Sequence, residues 1–296
     1  MMNERITGSL SVTAAYVCWG FLTIYWNLLL EVDSIYVLAH RIFWSMIFMG
    51  LFIAVTKKTA EVKDVFHSKQ KMLLCFLCGI LITINWGSYI IAVTSGHILD
   101  ASLGYFIEPI VVSVIGVTAF KEKMSKWEKI TLSFAALGLI YMISVTKIIP
   151  LLALVIAGSF AVYGAAKKRL DLSAEVSLFI ETLFITPLAL AFILFSDTTG
   201  NGSIGILQGM EFILLPLCGI VTSVPLLLFN IGIKKIPYYL SGILMYINPT
   251  LQFLMGLFVF GEALDMHRLI AFIIIWFGIS FTVYEKTNLL RKEKLQ

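Results

Sequence analysis

The chain has 296 residues, of which 59% are hydrophobic and only 14% charged, with a mean hydropathy of +0.93. A soluble domain is about 45–50% apolar and about 25% charged, and a particle of this length cannot hide the excess from water. A soluble enzyme, a nucleic-acid binder and a disordered chain are therefore excluded, and the formal charge of +4 matters through its placement.

A bilayer core needs about 20 apolar residues per helix. In chain order, ten such stretches stand out: 8–30, 36–56, 72–93, 101–120, 130–146, 149–166, 176–195, 212–233, 239–260 and 269–284. The first is longer than the apolar core of a secretory signal and lacks a small-residue cleavage pattern, so it reads as a retained span. The connections are short and carry nearly all the charge. The longest, 196–211, contains Gly200, Gly202, Gly205 and Gly209. Nineteen Lys and Arg residues fall in the two tails and the even-numbered connections, whereas only Lys147 and Arg268 fall in the odd-numbered ones. Basic residues accumulate on the cytoplasmic side. Both termini are accordingly expected in the cytoplasm, with the chain crossing the cell membrane ten times.

The four cysteines, Cys18, Cys75, Cys78 and Cys218, lie in apolar runs without His or carboxylate at ligand spacing. Cys75 and Cys78 have the spacing of a redox or zinc pair, but inside an apolar helix they read as packing residues. No metal and no cofactor are expected.

Shifting the chain by 140 residues superposes its halves. Tyr105-Phe-Ile-Glu-Pro109 falls on Met245-Tyr-Ile-Asn-Pro249, Gly116 on Gly256, Phe120 on Phe260 and Glu122 on Glu262. Gly79 meets Gly219, and Gly138 meets Gly278. Residues 1–147 and 148–296 then form two five-span halves. Five is odd, so the second half enters the membrane from the opposite face. An all-α integral membrane protein of two inverted five-helix repeats is the predicted fold. Secondary transporters recur in this arrangement, with a site between the repeats. Pro109 and Pro249 sit inside matching spans, where proline frees a backbone carbonyl. Gly79, Gly87 and Gly138 read as close helix contacts, and Glu122 and Glu262 as caps or connection-stabilising residues.

Charges inside a membrane are costly and normally partnered. Away from the span ends, the ionisable residues are His40, Arg41, Glu108 and Glu181. Their depths predict an Arg41–Glu108 pair in at least one state, with Glu181 nearer the cytoplasmic half. Arg41 is a candidate binding charge for an anionic or polar solute. Glu108, Glu181 and His40 are candidates for proton coupling. Uncharged and aromatic residues expected to complete the cavity are Trp19, Tyr25, Asn85, Trp86, Tyr89, Tyr105, Tyr163, Asn230, Tyr246, Asn248 and Gln252. That mixture suits an amphipathic organic molecule better than a bare ion.

Several of these segments resemble the RarD-type branch of the EamA, or drug/metabolite transporter, superfamily. They include Tyr25-Trp26, Ala39-His40-Arg41 with Trp44-Ser45, Asn85-Trp86 with Tyr89, and Ala101-Ser-Leu-Gly-Tyr-Phe-Ile107. Further along come Ser159-Phe160 with Tyr163-Gly164, Glu181-Thr182, and Tyr246-Ile-Asn-Pro-Thr250 with Gln252-Phe253. The resemblance implies ten spans in two halves around a substrate cavity in a bacterial inner membrane. It also implies a small-molecule permease, in a branch linked by name to chloramphenicol sensitivity. One departure is Glu108-Pro109, where the branch usually carries Asn-Pro.

No phosphate loop, nucleophile elbow, zinc-binding His pair or dinucleotide fingerprint occurs. The expectation is a non-enzymatic permease that moves a small organic solute by alternating access, with a gradient as its driving force. A membrane enzyme acting on a lipid-borne substrate and a passive channel are the alternatives. The expected partners are the small-molecule substrate and the lipid bilayer, not nucleic acid.

Overall fold

The computed structural model describes residues 2–94, 98–147, 151–200, 202 and 211–293, so the expectations for Gly205 and Gly209 lie outside the described residues. Twelve helices follow one another: α1 (Met2–Asn27), α2 (Ser34–Val55), α3 (Thr59–His67), α4 (Lys69–Thr94), α5 (Ile98–Ala119), α6 (Lys126–Thr146), α7 (Leu151–Arg169), α8 (Ala174–Thr198), α9 (Glu211–Ile233), α10 (Tyr238–Met245), α11 (Ile247–Phe258) and α12 (Met266–Glu293). Among the described residues these give ten crossings, nine of them long and apolar enough to span a membrane and the tenth, in α5, apolar over Leu103–Ala119, because α10 and α11 share one crossing and α3 is a short connecting helix.

The break between α10 and α11 at Tyr246 precedes Pro249, which cannot donate to the carbonyl of Met245. Pro109 leaves α5 unbroken; its own carbonyl accepts the Ser113 hydroxyl at 2.8 Å. The outer surface is apolar, as lipid contact requires. Leu188 and Leu194 of α8, Ile140 of α6 and Phe277 of α12 are all exposed.

Helix packing follows the repeat. Helix α5 packs on α7 and α10 with α11 on α1; α4 packs on α8 and α9 on α2. Members of each pair are related by the 140-residue shift. Helices α6 and α12 are mates of each other and pack together. Glycines make the close approaches. A β-carbon at Gly79 would lie 2.8 Å from the Glu181 carbonyl oxygen, and one at Gly219 would lie 2.4 Å from that of Trp44. Gly138 and Gly278 do the same reciprocally between α6 and α12. Gly87, expected to be a contact, faces open space instead.

Ser125 caps α6, its hydroxyl accepting from the Glu128 amide at 3.1 Å, while the Glu128 carboxylate accepts from the Ser125 amide at 2.7 Å. Ser125→Ala is expected to lower stability by about 1 kcal/mol, read as a lower unfolding temperature in detergent; an unchanged temperature would refute the cap's contribution.

Candidate substrate cavity

The lysine-rich tails and connections meet on one face, and that face is closed. Glu122, just past α5, accepts hydrogen bonds from the Tyr238 and Tyr239 amides at 2.8 and 3.0 Å, capping α10 of the other half. Lys168 lies 3.7 Å from Glu122 and donates to the Ile233 and Ile236 carbonyls at 2.8 and 2.5 Å. Lys234 reaches the Leu170 and Leu172 carbonyls. Lys58 pairs with Glu175 at 2.6 Å, and the Ser173 amide donates to Glu61 at 2.5 Å. The capping role expected of Glu122 is therefore real, but it ties the two halves together rather than stabilising its own connection.

From the opposite face a cavity of about 520 Å³ enters between the halves. Its rim carries Leu30 and Val32 of the first connection and Ser34 at the start of α2, with Glu262 and Arg268 around the last connection. Arg268 is paired with Asp265 at 3.4 Å. The walls combine Trp26 and Asn27 of α1, Arg41 of α2, Tyr89 of α4 and Tyr105 of α5. The second half supplies Pro249, Gln252, Phe253 and Gly256 from α11, and Phe272 from α12. Aromatic contacts make the wall continuous. Tyr89 and Tyr105 lie 5.8 Å apart, and Phe272 lies 5.0 Å from both Phe106 and Phe253. A volume of this size suits a small organic ligand.

Arg41 is held between two indole rings, with Trp26 4.5 Å and Trp86 4.4 Å from its guanidinium carbon. Its Nε donates to the Thr222 hydroxyl at 3.2 Å. Aromatic faces attract a cation without neutralising it. The expected Arg41–Glu108 pair is not formed here: Glu108 is buried, and among the described residues no cation lies within ion-pair reach of it. Both rings lie within cation–π distance of the guanidinium and hold its direction.

Of the other expected residues, Tyr89, Tyr105 and Gln252 line the cavity, and Trp86 backs it through Arg41. Asn248 accepts from Gln252 at 3.0 Å and so orients that amide. Several are used elsewhere. Asn85 donates to the Ile156 carbonyl at 2.8 Å, joining α4 to α7. Tyr246 donates to the Phe106 carbonyl at 3.2 Å, which satisfies its buried hydroxyl between α5 and the α10–α11 break. Trp19 packs among Tyr16, Phe160 and Phe229. Tyr25 points away from the cavity to the Leu214 carbonyl. His40 accepts from the Trp44 indole at 3.2 Å and lies against Tyr36.

Tyr163 and Asn230 belong to a second buried polar cluster. Glu181 is ion-paired with Lys167, both side chains 1% exposed, and Lys167 also donates to Ser177 at 2.5 Å. Asn230 donates to the Tyr163 hydroxyl at 3.5 Å, and the Lys167 ammonium lies 5.7 Å from the Tyr163 ring. Lys167 looks in the sequence like one of three solvated cations ending α7. Its position four residues after Tyr163, on the same helix face, was the available signal. Trp26 was missed beside Tyr25, although Thr23, Trp26 and Asn27 share one helical face.

An EamA-like transporter family model matches residues 6–144 and again 147–284, one copy in each half. The chain belongs to the EamA-like transporter family. This EamA chain is 37% identical over 98% of its length to the "Uncharacterized transporter YojE" of Bacillus subtilis (strain 168), covering 98% of that protein. It is 32% identical over 99% of its length to "Protein RarD" of Streptomyces exfoliatus, covering 93% of that protein. These relatives make it a RarD-type EamA membrane transporter. A solved crystal structure at 18% identity superposes with a TM-score of 0.72, covering 94% of this chain and 97% of its own, and shows the fold alone.

Proposed function

We propose that this chain is a secondary transporter that carries a small organic solute across the bacterial cytoplasmic membrane by alternating access. Residues 1–147 and 148–296 are its two halves, and the lysine-rich face lies in the cytoplasm with both termini. The cavity described above is then its outward-open state. The reading rests on one asymmetry between repeat mates. Glu122 is bound to the α10 amides on the closed face. Glu262, its mate, lines the open cavity, and among the described residues its carboxylate has no hydrogen bond or ion pair. Two latches of one design, one engaged and one idle, are what a carrier needs and what an enzyme or a channel does not. In the reverse state Glu262 would cap the first turn of α5, the mate of α10.

Arg41 with Tyr89, Tyr105, Trp86 and Gln252 forms the substrate site. Glu108, a buried carboxyl without a counter-cation among the described residues, is the candidate carrier of a coupling proton. Glu181 is tied to Lys167 and His40 to Trp44, which favours structural roles for both.

Proteoliposome flux with a panel of amino acids, aromatic carboxylates and chloramphenicol (the drug named for one RarD relative), with and without a pH gradient, tests the proposal. Saturation and counterflow are expected. Arg41→Ala is expected to cut flux by about 10–100-fold, the worth of one charge-assisted hydrogen-bonding group, and Glu108→Gln to abolish the response to the pH gradient. Non-saturating conductance, or turnover without flux, would overturn it.

A further inference from the structure

The state of charge at Arg41 differs from that at its repeat mate, and the difference says what the cavity holds. Arg41 corresponds to Glu181 under the 140-residue shift, and Asn27 corresponds to Lys167. In the second half the two positions form a buried ion pair, Lys167–Glu181. In the first half the counter-ion position is occupied by neutral Asn27, which lines the cavity beside Arg41. One repeat therefore neutralises its own buried charge, and the other does not.

The free donors of Arg41 point to the same conclusion. Trp26 and Trp86 lie 4.5 and 4.4 Å from the guanidinium carbon, and Nε is used by Thr222. Among the described residues Nη1 and Nη2 have no hydrogen-bond acceptor, yet neither is sealed off as a buried orphan. What remains is the planar Nη edge, open to the cavity, with N–H groups spaced to match the two oxygens of a carboxylate. Glu262 and Arg268 both line the mouth of the same cavity, so its rim carries one charge of each sign. Beyond Arg41 the wall is aromatic, formed by Tyr89, Tyr105, Phe253 and Phe272.

We infer that the substrate is an organic monoanion, a carboxylate with an apolar or aromatic body, whose carboxylate takes the counter-ion place at the Arg41 Nη edge. This rests on reading the cavity as the substrate site. The body lies along the aromatic wall, where it excludes water and strengthens the charge-assisted pair.

Three probes share one body and differ in charge: 3-phenylpropanoate, 3-phenylpropanamide and 3-phenylpropylammonium. Each is titrated at neutral pH into the purified full chain in detergent, with binding read from tryptophan fluorescence, since Trp26 and Trp86 flank the site. The acid is expected to saturate with a Kd at least about tenfold below that of the amide, and the ammonium to bind more weakly still. Arg41→Gln is expected to remove the preference for the acid, bringing the ratio of acid to amide Kd to about one. Equal or tighter binding of amide or ammonium by the wild-type chain, or absence of saturable acid binding, overturns the inference without any variant having to fold. Binding is read without flux, so such a failure leaves the transport proposal standing. Failure of counterflow with tight acid binding would do the reverse.

Discussion

Lys167→Met is expected to destabilise the protein by about 3–5 kcal/mol, the cost of stranding one member of a buried ion pair. Glu181 would keep a carboxylate that is 1% exposed, with no other cation within ion-pair reach among the described residues. Lys167→Met combined with Glu181→Met is expected to recover most of the loss, because two apolar side chains of similar volume need no desolvation compensation. Unfolding in detergent, followed by heat or denaturant, measures both. A single variant within about 0.5 kcal/mol of wild type, or a double variant worse than either single, would show that the pair does not hold α7 to α8.

Substitutions at Gly116 and Gly256 are expected to drive the two faces in opposite directions. A β-carbon at Gly116 would lie 2.5 Å from the Tyr239 amide nitrogen and 3.0 Å from its α-carbon, so Gly116→Leu pushes the backbone of α10 out of the closed gate. At Gly256 the nearest atoms to a β-carbon belong to the Glu262 carboxylate, the free end of a side chain that can swing aside, so Gly256→Leu fits this state and obstructs closure of the open face. The readout is a cysteine at Gln252, in a background with Cys18, Cys75, Cys78 and Cys218 replaced, labelled by an impermeant maleimide from either side of oriented vesicles. Gly116→Leu should raise labelling from the lysine-rich side by about tenfold or more, whereas Gly256→Leu should leave labelling confined to the other side. Both should lose flux. Glu122→Gln weakens charge-assisted bonds to two amides, each worth about 1.5–3 kcal/mol, and should move the population in the same direction as Gly116→Leu. Identical labelling in all three variants would mean that these positions do not gate the cavity.

The architecture was readable because its causes are local and repetitive. Span number follows from runs of apolar residues long enough for a bilayer. The inverted repeat follows from an odd number of spans per half and one constant offset, visible in Pro109 with Pro249 and Glu122 with Glu262. The membrane-buried charges Arg41, Glu108 and Glu181 were also legible, since each is conspicuous against its apolar run. Their partners were not. Depth alone put Arg41 opposite Glu108, but depth contains no information about rotation around the helix axis. The structure turns Arg41 towards two indoles and, among the described residues, leaves Glu108 without a cation. Lys167 was hidden for the opposite reason: a lysine next to Lys168 and Arg169 reads as solvated, and only the docking of α7 against α8 buries it.

The amino-acid sequence by itself determined the ten crossings, their inverted halves, the family and the few polar groups that a membrane interior must accommodate. Only the tertiary structure decided which of those groups face one another, which face of the protein is sealed, and that Arg41 keeps its outer edge free. The physical reason is that hydropathy and spacing constrain one helix at a time. Pairing, gating and cavity shape depend on how helices from both halves rotate and approach, and residues far apart in the chain set that through contacts such as Glu122 with the α10 amides.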